Sequence, residues 1–211
     1  MVMLLALSLA IAPQEPASPG PVAKKPLPEE ATYVEIVDVP LPPHVVLEVG
    51  GFVEFDGAMY VATRRGEIWR IADALGEAPK VTLWAEGLME PLGLIEQGGW
   101  LYCGQRAELS RMRDSDGDGR MDELETVADG WPISGNYHEY CFGPSVAADG
   151  SFWLTLNKPF GGEPFGRAPW RGWAIRIPKE GGSFEPVCAG LRSPCGIGTA
   201  PDGVVWYTDN Q

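Results

Sequence analysis

The sequence predicts an all-β fold of the β-propeller type, and three observations carry that prediction. Glycine (27) and proline (20) are abundant, and no stretch sustains a long helical period. Apolar residues fall in short alternating runs between turn residues, the pattern of half-buried strands in a meander. One phrase also recurs: an apolar strand, Ala-x-Gly or Ala-Gly, a loop with Pro or Gly, a strand, a turn and another strand. A four-strand unit repeating every roughly 40–50 residues is the mark of a propeller blade. A β-sandwich is the alternative, and it leaves the repeat unexplained.

In chain order, Met1–Ala12 is an apolar run too short to span a bilayer, and Ala10-Ile11-Ala12 resembles a small-x-small cleavage site. Residues 1–18 therefore read as a signal peptide of an exported protein, periplasmic or extracellular, with no transmembrane helix expected. Residues 19–30 read as a proline-rich linker and 31–211 as the propeller. Thr32–Val39, Val45–Val49, Phe52–Phe55, Met59–Thr63 and Glu67–Ile71 are predicted strands. His44, beside Pro42 and Pro43, is incidental.

The recurring phrase starts at Val81–Leu88, at Glu125–Trp131 and at Pro186–Leu191. The middle copy is lengthened by the insertion Lys158–Trp170, expected on one rim near a binding face. About four blades begin, and Thr208–Gln211 stops directly after a strand. A propeller closes on itself, so the expectation is an N-terminal fragment of about four blades, truncated at its C-terminus.

The sharpest chemical signal is an acidic loop. Asp114, Asp116 and Asp118 fall at positions 1, 3 and 5 of a twelve-residue calcium loop, with Gly119 at the sharp turn. Arg120 would offer its carbonyl at position 7, Asp122 stands at position 9, and Glu125 at position 12 could bind through both oxygens. Period-two alternation over Ala107–Arg113 indicates a strand, so the loop is expected to join β-strands rather than EF-hand helices. Its calcium would be structural. The second signal is His138, in a turn before Phe142-Gly143-Pro144, placed to point into a pocket at the mouth of a β-fold. A near-neutral imidazole suits proton removal from an alcohol, and a hydrogen-bonded structural histidine is the competing reading.

The balance of 16 basic and 29 acidic residues gives a net charge of −13, which argues against nucleic acid and anionic membrane surfaces. Of the four cysteines, Cys103, Cys141, Cys188 and Cys195, the last two are close enough in sequence to pair, and any of the four reads equally as a buried thiol.

Over residues 40–211 the motifs EVGGFVEFDG, YVATRRGEIW, GLMEPLGL, RMRDSDGDGRMDE, GNYHEYCFGP and GLRSPCGIGTAPDGVVWYTDNQ resemble the glucose/sorbosone dehydrogenase superfamily. The nearest resemblance is to its exported, planctomycete-type "membrane-bound dehydrogenase" branch. The resemblance implies a six-bladed propeller using pyrroloquinoline quinone and calcium, a sugar or other alcohol as substrate, and in some members a cytochrome c domain as electron acceptor. It implies that His138 is the general base and that Arg192 contacts the quinone. The family's Arg-Asn-Pro segment reads Arg192-Ser193-Pro194 here, without its asparagine, and its catalytic glutamine has no match near Pro91-Leu92-Gly93. The acidic loop is not equated with the cofactor's calcium. The alternative function is a non-catalytic, calcium-stabilised propeller that binds carbohydrate or protein, with Trp131, Tyr137, Trp170 and Trp173 as candidate stacking surfaces.

Overall fold

The computed structural model describes residues 30–161 and 168–210. The predicted signal peptide, nearly all of the linker, and residues 162–167 of the insertion lie outside them. The chain forms two units, Met1–Asp38 and Val39–Gln211. In the first, Glu30–Tyr33 make one helical turn, α1. The strand predicted over Thr32–Val39 is not formed. Alternation gives a segment two faces but no partner, and Tyr33, Val34 and Ile36 stay exposed without a neighbouring ladder.

The second unit is all-β. Strands β1 (Val49–Phe55), β2 (Ala58–Thr63), β3 (Glu67–Ala72) and β4 (Lys80–Ala85) form an antiparallel sheet in sequence order. So do β5 (Leu94–Gln97), β6 (Trp100–Gly104), β7 (Glu108–Arg113) and β8 (Glu123–Asp129). The third sheet holds β9 (Cys141–Val146), β10 (Phe152–Leu156), β11 (Trp173–Ile177) and β12 (Glu185–Ala189). Strands β13 (Pro194–Thr199) and β14 (Val205–Asp209) make a fourth, two-stranded sheet. The architecture is a partial β-propeller: three four-stranded blades and the inner hairpin of another among the described residues. The predicted strand at Val45–Val49 begins only at Val49.

The recurring phrase does not coincide with a blade. Val81–Ala85 is the outer strand of the first blade, and the glycine, loop and strand that follow belong to the second. The phrase marks the crossing from the rim of one blade to the centre of the next. There β1, β5, β9 and β13 lie side by side in the same direction, as the parallel bridge Leu92–Phe142 records for β5 and β9. Glycines permit that approach. A Cβ on Gly51 would stand 2.7 Å from the Gly93 Cα, and one on Gly93 2.1 Å from the Gly143 carbonyl oxygen.

Each interior blade buries both faces. Leu101 and Cys103 of β6 join Tyr60, Ile68, Trp84 and Met112 in one core, while Tyr102 between them joins Leu109, Trp131, Phe152 and Ile175 in the next. This is the period of two in action. Burial on each side of a sheet supplies the main stabilisation, at about 25 cal/mol per Å² of apolar surface removed from water.

Because all the sheets are meanders around parallel inner strands, their connections segregate. The turns after β1, β3, β5 and β7 gather on one face. The loops after β2, β4, β6, β8, β10 and β12 gather on the other, where the site lies.

Candidate functional site

His138 lies in the connection from β8 to β9, and that connection is built around a buried carboxylate. Glu139 is 0% exposed and accepts hydrogen bonds from the Ser134 amide (2.8 Å), the Ser134 hydroxyl (2.9 Å) and the amides of Gly135 and Asn136 (both 3.2 Å). A buried charge persists when its lone pairs are filled in this way. The Asn136 side chain accepts from the His138 amide (3.0 Å) and donates to the Phe160 carbonyl (2.8 Å), tying the turn to the insertion.

Arg171 clamps the same loop from the other side. It is 8% exposed and donates to five backbone carbonyls, those of Arg106, Trp131, Pro132, Glu139 and Tyr140, at 2.7–3.5 Å. Burial lowers its pKa from the ordinary arginine value, against the pull of nearby acids. Arg106 adds bonds to the Glu139 and Asn136 carbonyls and pairs with Glu90 at 3.3 Å. Glu90 also accepts from Arg64 at 3.3 Å. Three blades are thereby joined across the face.

On this frame the half-buried His138 ring is held at both nitrogens. Nδ1 is 2.9 Å from the Lys158 carbonyl oxygen and Nε2 is 3.4 Å from the Ser193 hydroxyl. The rings of Tyr137, Tyr140 and Phe160 surround it at 5.7–5.9 Å between centroids. Arg192 reaches the same place: its guanidinium lies 5.6 Å from the Phe160 ring and donates to the Asn210 carbonyl at 3.1 Å. The fold thus brings His138 and Arg192 together around Phe160. Ser193, the middle residue of Arg192-Ser193-Pro194, makes the contact to the imidazole. Sequence reasoning missed Glu139, Lys158, Phe160 and Arg171. The one available signal was an arginine flanked by aromatics, Trp170-Arg171-Gly172-Trp173.

The acidic loop lies on the opposite face, joining β7 to β8 as the alternation predicted. Asp114, Asp116 and Asp118 each offer an oxygen, all within 4.8 Å of one another. Asp122 instead accepts from the Ser115 amide and hydroxyl (both 2.7 Å), which lowers its pKa. Glu125 pairs with Arg111 at 2.6 Å, and the Arg120 side chain pairs with Glu86 at 3.3 Å. Three of the six expected ligands converge, and Asp122 and Glu125 bond to neighbouring groups, while the Arg120 pair involves its side chain and not the carbonyl expected as a ligand. The converging oxygens suit a hard divalent cation.

Of the candidate stacking aromatics, Trp131 is fully buried, Trp170 and Trp173 pack on the second core, and only Tyr137 is exposed, at 62%. All four cysteines are free thiols. Cys188 approaches the Tyr207 hydroxyl (3.8 Å) and Cys195 the Thr208 hydroxyl (3.4 Å), successive residues that face opposite sides of β14. Burial pushes the Cys141 thiol up to about 12 and Cys103 higher still. Among the described residues no helix is long and apolar enough to cross a membrane.

Residues 54–211 match the family described as Domain of unknown function (DUF7133). No curated protein matches the chain. Among solved structures it is similar to a glucose dehydrogenase, at 16% identity and TM-score 0.55, over 77% of this chain and 57% of that one. It is similar to the pyranose dehydrogenase PQQ domain of Coprinopsis cinerea in its holo form, at 13% and 0.58, over 76% and 43%. A Trichoderma reesei enzyme of carbohydrate-active family AA12 gives 12% and 0.56, over 80% and 52%. At these identities the likeness is one of fold. The chain spans about half the length of these proteins.

Proposed function

This chain belongs to the family described as Domain of unknown function (DUF7133), and we propose that its propeller is that of an exported dehydrogenase oxidising a sugar or other alcohol with pyrroloquinoline quinone. The observation that carries the reading is the convergence of His138, Ser193 and Arg192 around Phe160, on the face where the blade-to-blade loops collect.

A quinone bearing carboxylates needs cations, and this face offers Arg192 and the exposed Lys158 in a chain of net charge −13. The residues present fit the group. Bound there, it would supply the two-electron acceptor. His138 takes the substrate hydroxyl proton at Nε2, because Nδ1 is turned to the Lys158 carbonyl. Arg192 and Lys158 would hold the acidic groups of the quinone. Glu139 and Arg171 fix the loop so that the imidazole is held in place before substrate arrives. Calcium held by Asp114, Asp116 and Asp118 is structural. The motif set supports the planctomycete-type branch, and the apolar leader supports export to the periplasm or beyond. A cytochrome c domain or other acceptor would take the electrons.

Titrating the full-length protein with pyrroloquinoline quinone in calcium, beside a His138→Ala control and with a sugar panel, tests this. Saturable binding with dye reduction that His138→Ala abolishes supports the reading. A folded, calcium-loaded protein that binds no quinone removes it. The lost asparagine at Ser193 favours the second reading, a propeller that binds carbohydrate or protein without chemistry.

A further inference from the structure

The third blade turns a different face to the fourth sheet from the one it turns to the second blade. Phe152, Leu154 and Leu156 of β10 point into the second apolar core. The alternate residues, Trp153 and Thr155, therefore face the fourth sheet. The Asn157 amide continues the ladder to the Tyr140 carbonyl at 2.9 Å, so the alternation carries on to Asn157. Across the ladder, Ser145 and Arg176 pair with Trp153, and Ala174 pairs with Thr155. The fourth sheet is met through polar groups: the Ser145 and Thr199 hydroxyls lie 3.1 Å apart, and the Cys188 thiol lies 3.8 Å from the Tyr207 hydroxyl.

On this face Trp153 Nε1, Thr155 Oγ1 and Asn157 Oδ1 are buried, and none has a hydrogen-bond partner among the described residues. Thr155 is 0% exposed and Asn157 2%. Buried polar groups are nearly always satisfied, by protein or by ordered water. Here a donor, a hydroxyl and an acceptor fall at every second position of one strand, a row of about 13 Å at about 3.3 Å per residue. Water both donates and accepts, and it is small enough to reach groups this deeply buried.

The row joins the two faces of the molecule. At one end Arg176 bonds the Ser151 hydroxyl at 3.2 Å and pairs with the exposed Asp149 and Glu185. At the other end Asn157 adjoins Lys158, whose carbonyl meets His138 Nδ1 and whose amide donates to the Arg192 carbonyl at 3.1 Å. Next to Arg192, the Ser193 hydroxyl stands 3.4 Å from His138 Nε2.

We propose that a file of ordered water runs along this row and carries away the proton that His138 takes from its substrate. The proton's source rests on the dehydrogenase reading; the water does not. Substrate and quinone would occupy the face onto which His138 opens, so the proton leaves through the protein. The imidazolium gives its Nε2 proton to the Ser193 hydroxyl, which passes its own to the water beside Asn157. Each water and the Thr155 hydroxyl does the same in turn, and one proton is released beside Asp149. The imidazole lone pair is restored and no other bond changes.

The test is Thr155→Val in the full-length protein, which keeps the side-chain shape and removes the hydroxyl. Its urea midpoint should fall, because a hydrogen-bonded group is lost. In dye reduction with quinone, calcium and a sugar panel, kcat should fall about 10-fold and the solvent deuterium isotope effect should rise, with Thr155→Ser restoring both. Should Thr155→Val not fold, the parent protein labelled with nitrogen-15 tryptophan keeps the test open: the indole N–H absent from Trp153→Phe should show a cross-peak to bound water. A Thr155→Val variant as stable as the parent, or no such cross-peak, overturns the water file. A less stable Thr155→Val with unchanged kcat and isotope effect overturns the proton exit. A protein that shows the cross-peak and binds no quinone removes the dehydrogenase reading, and the exit with it, and leaves the water in place.

Discussion

The imidazole of His138 hangs from the backbone of Lys158, with Nδ1 2.9 Å from that residue's carbonyl oxygen. A carbonyl can only accept, so the neutral ring carries its proton on Nδ1 and its lone pair on Nε2. Nitrogen-15 spectra of the ring should show the Nδ1–H tautomer at neutral pH. The Nε2–H tautomer would leave the residue unable to act as the proposed base.

The Ser134, Gly135 and Asn136 amides all donate to one Glu139 oxygen. Glu139→Ala, which leaves these buried donors without their acceptor, should cost about 1–3 kcal/mol in urea unfolding. A variant as stable as the parent would mean that the carboxylate is not needed to close the turn.

Arg171 and Arg176 offer an internal comparison. Arg171 is buried among carbonyls, while Arg176 makes partly exposed pairs with Asp149 and Glu185 at 2.9 and 3.1 Å. Arg171→Met should lose about 2–4 kcal/mol by leaving several carbonyls without donors, whereas Arg176→Met should lose about 1 kcal/mol or less. Equal losses in denaturant unfolding would contradict the clamp.

Calcium should raise the melting temperature, since a ligand at about 100 times its Kd adds about 2.7 kcal/mol. Asp116→Asn together with Asp118→Asn should abolish the increment while leaving the melt in EDTA unchanged. A calcium increment that survives both changes would locate the ion elsewhere.

Acid stability has a specific contributor. The Ser151 hydroxyl and amide, and then the Arg176 guanidinium, hold the Asp149 carboxyl down to about 2 from 3.8. The unfolded chain therefore takes up this proton first as pH falls, and the stabilisation is full above about 3.8 and lost on the way to 2. Asp149→Asn should flatten this part of the urea-midpoint profile. An unchanged profile would show that the pair does not contribute.

The strands were legible because turn residues bracket each alternating run, and the blade repeat because every crossing to the centre needs the same glycine-bounded loop. The acidic loop was placed correctly between strands from the alternation before it. Thr32–Val39 misled for a physical reason: alternation specifies faces but not a neighbour. The clamp was hidden because Arg171 binds carbonyl oxygens, which every residue carries, on segments up to 65 positions away. The separation of Cys188 from Cys195 was hidden because sequence spacing does not say which side of β14 each will meet.

The two ends of the second blade have different electrical lives. Strand β8 runs seven residues from the acidic loop to the segment that carries His138, on the order of 20 Å at about 3.3 Å per residue. The Debye length at physiological ionic strength is about 8 Å, so charge gained or lost at the exposed loop is largely screened before it reaches the imidazole. An ion bound at Asp114 can influence His138 only mechanically, by stiffening the strand between them, and that influence should persist unchanged as salt is raised.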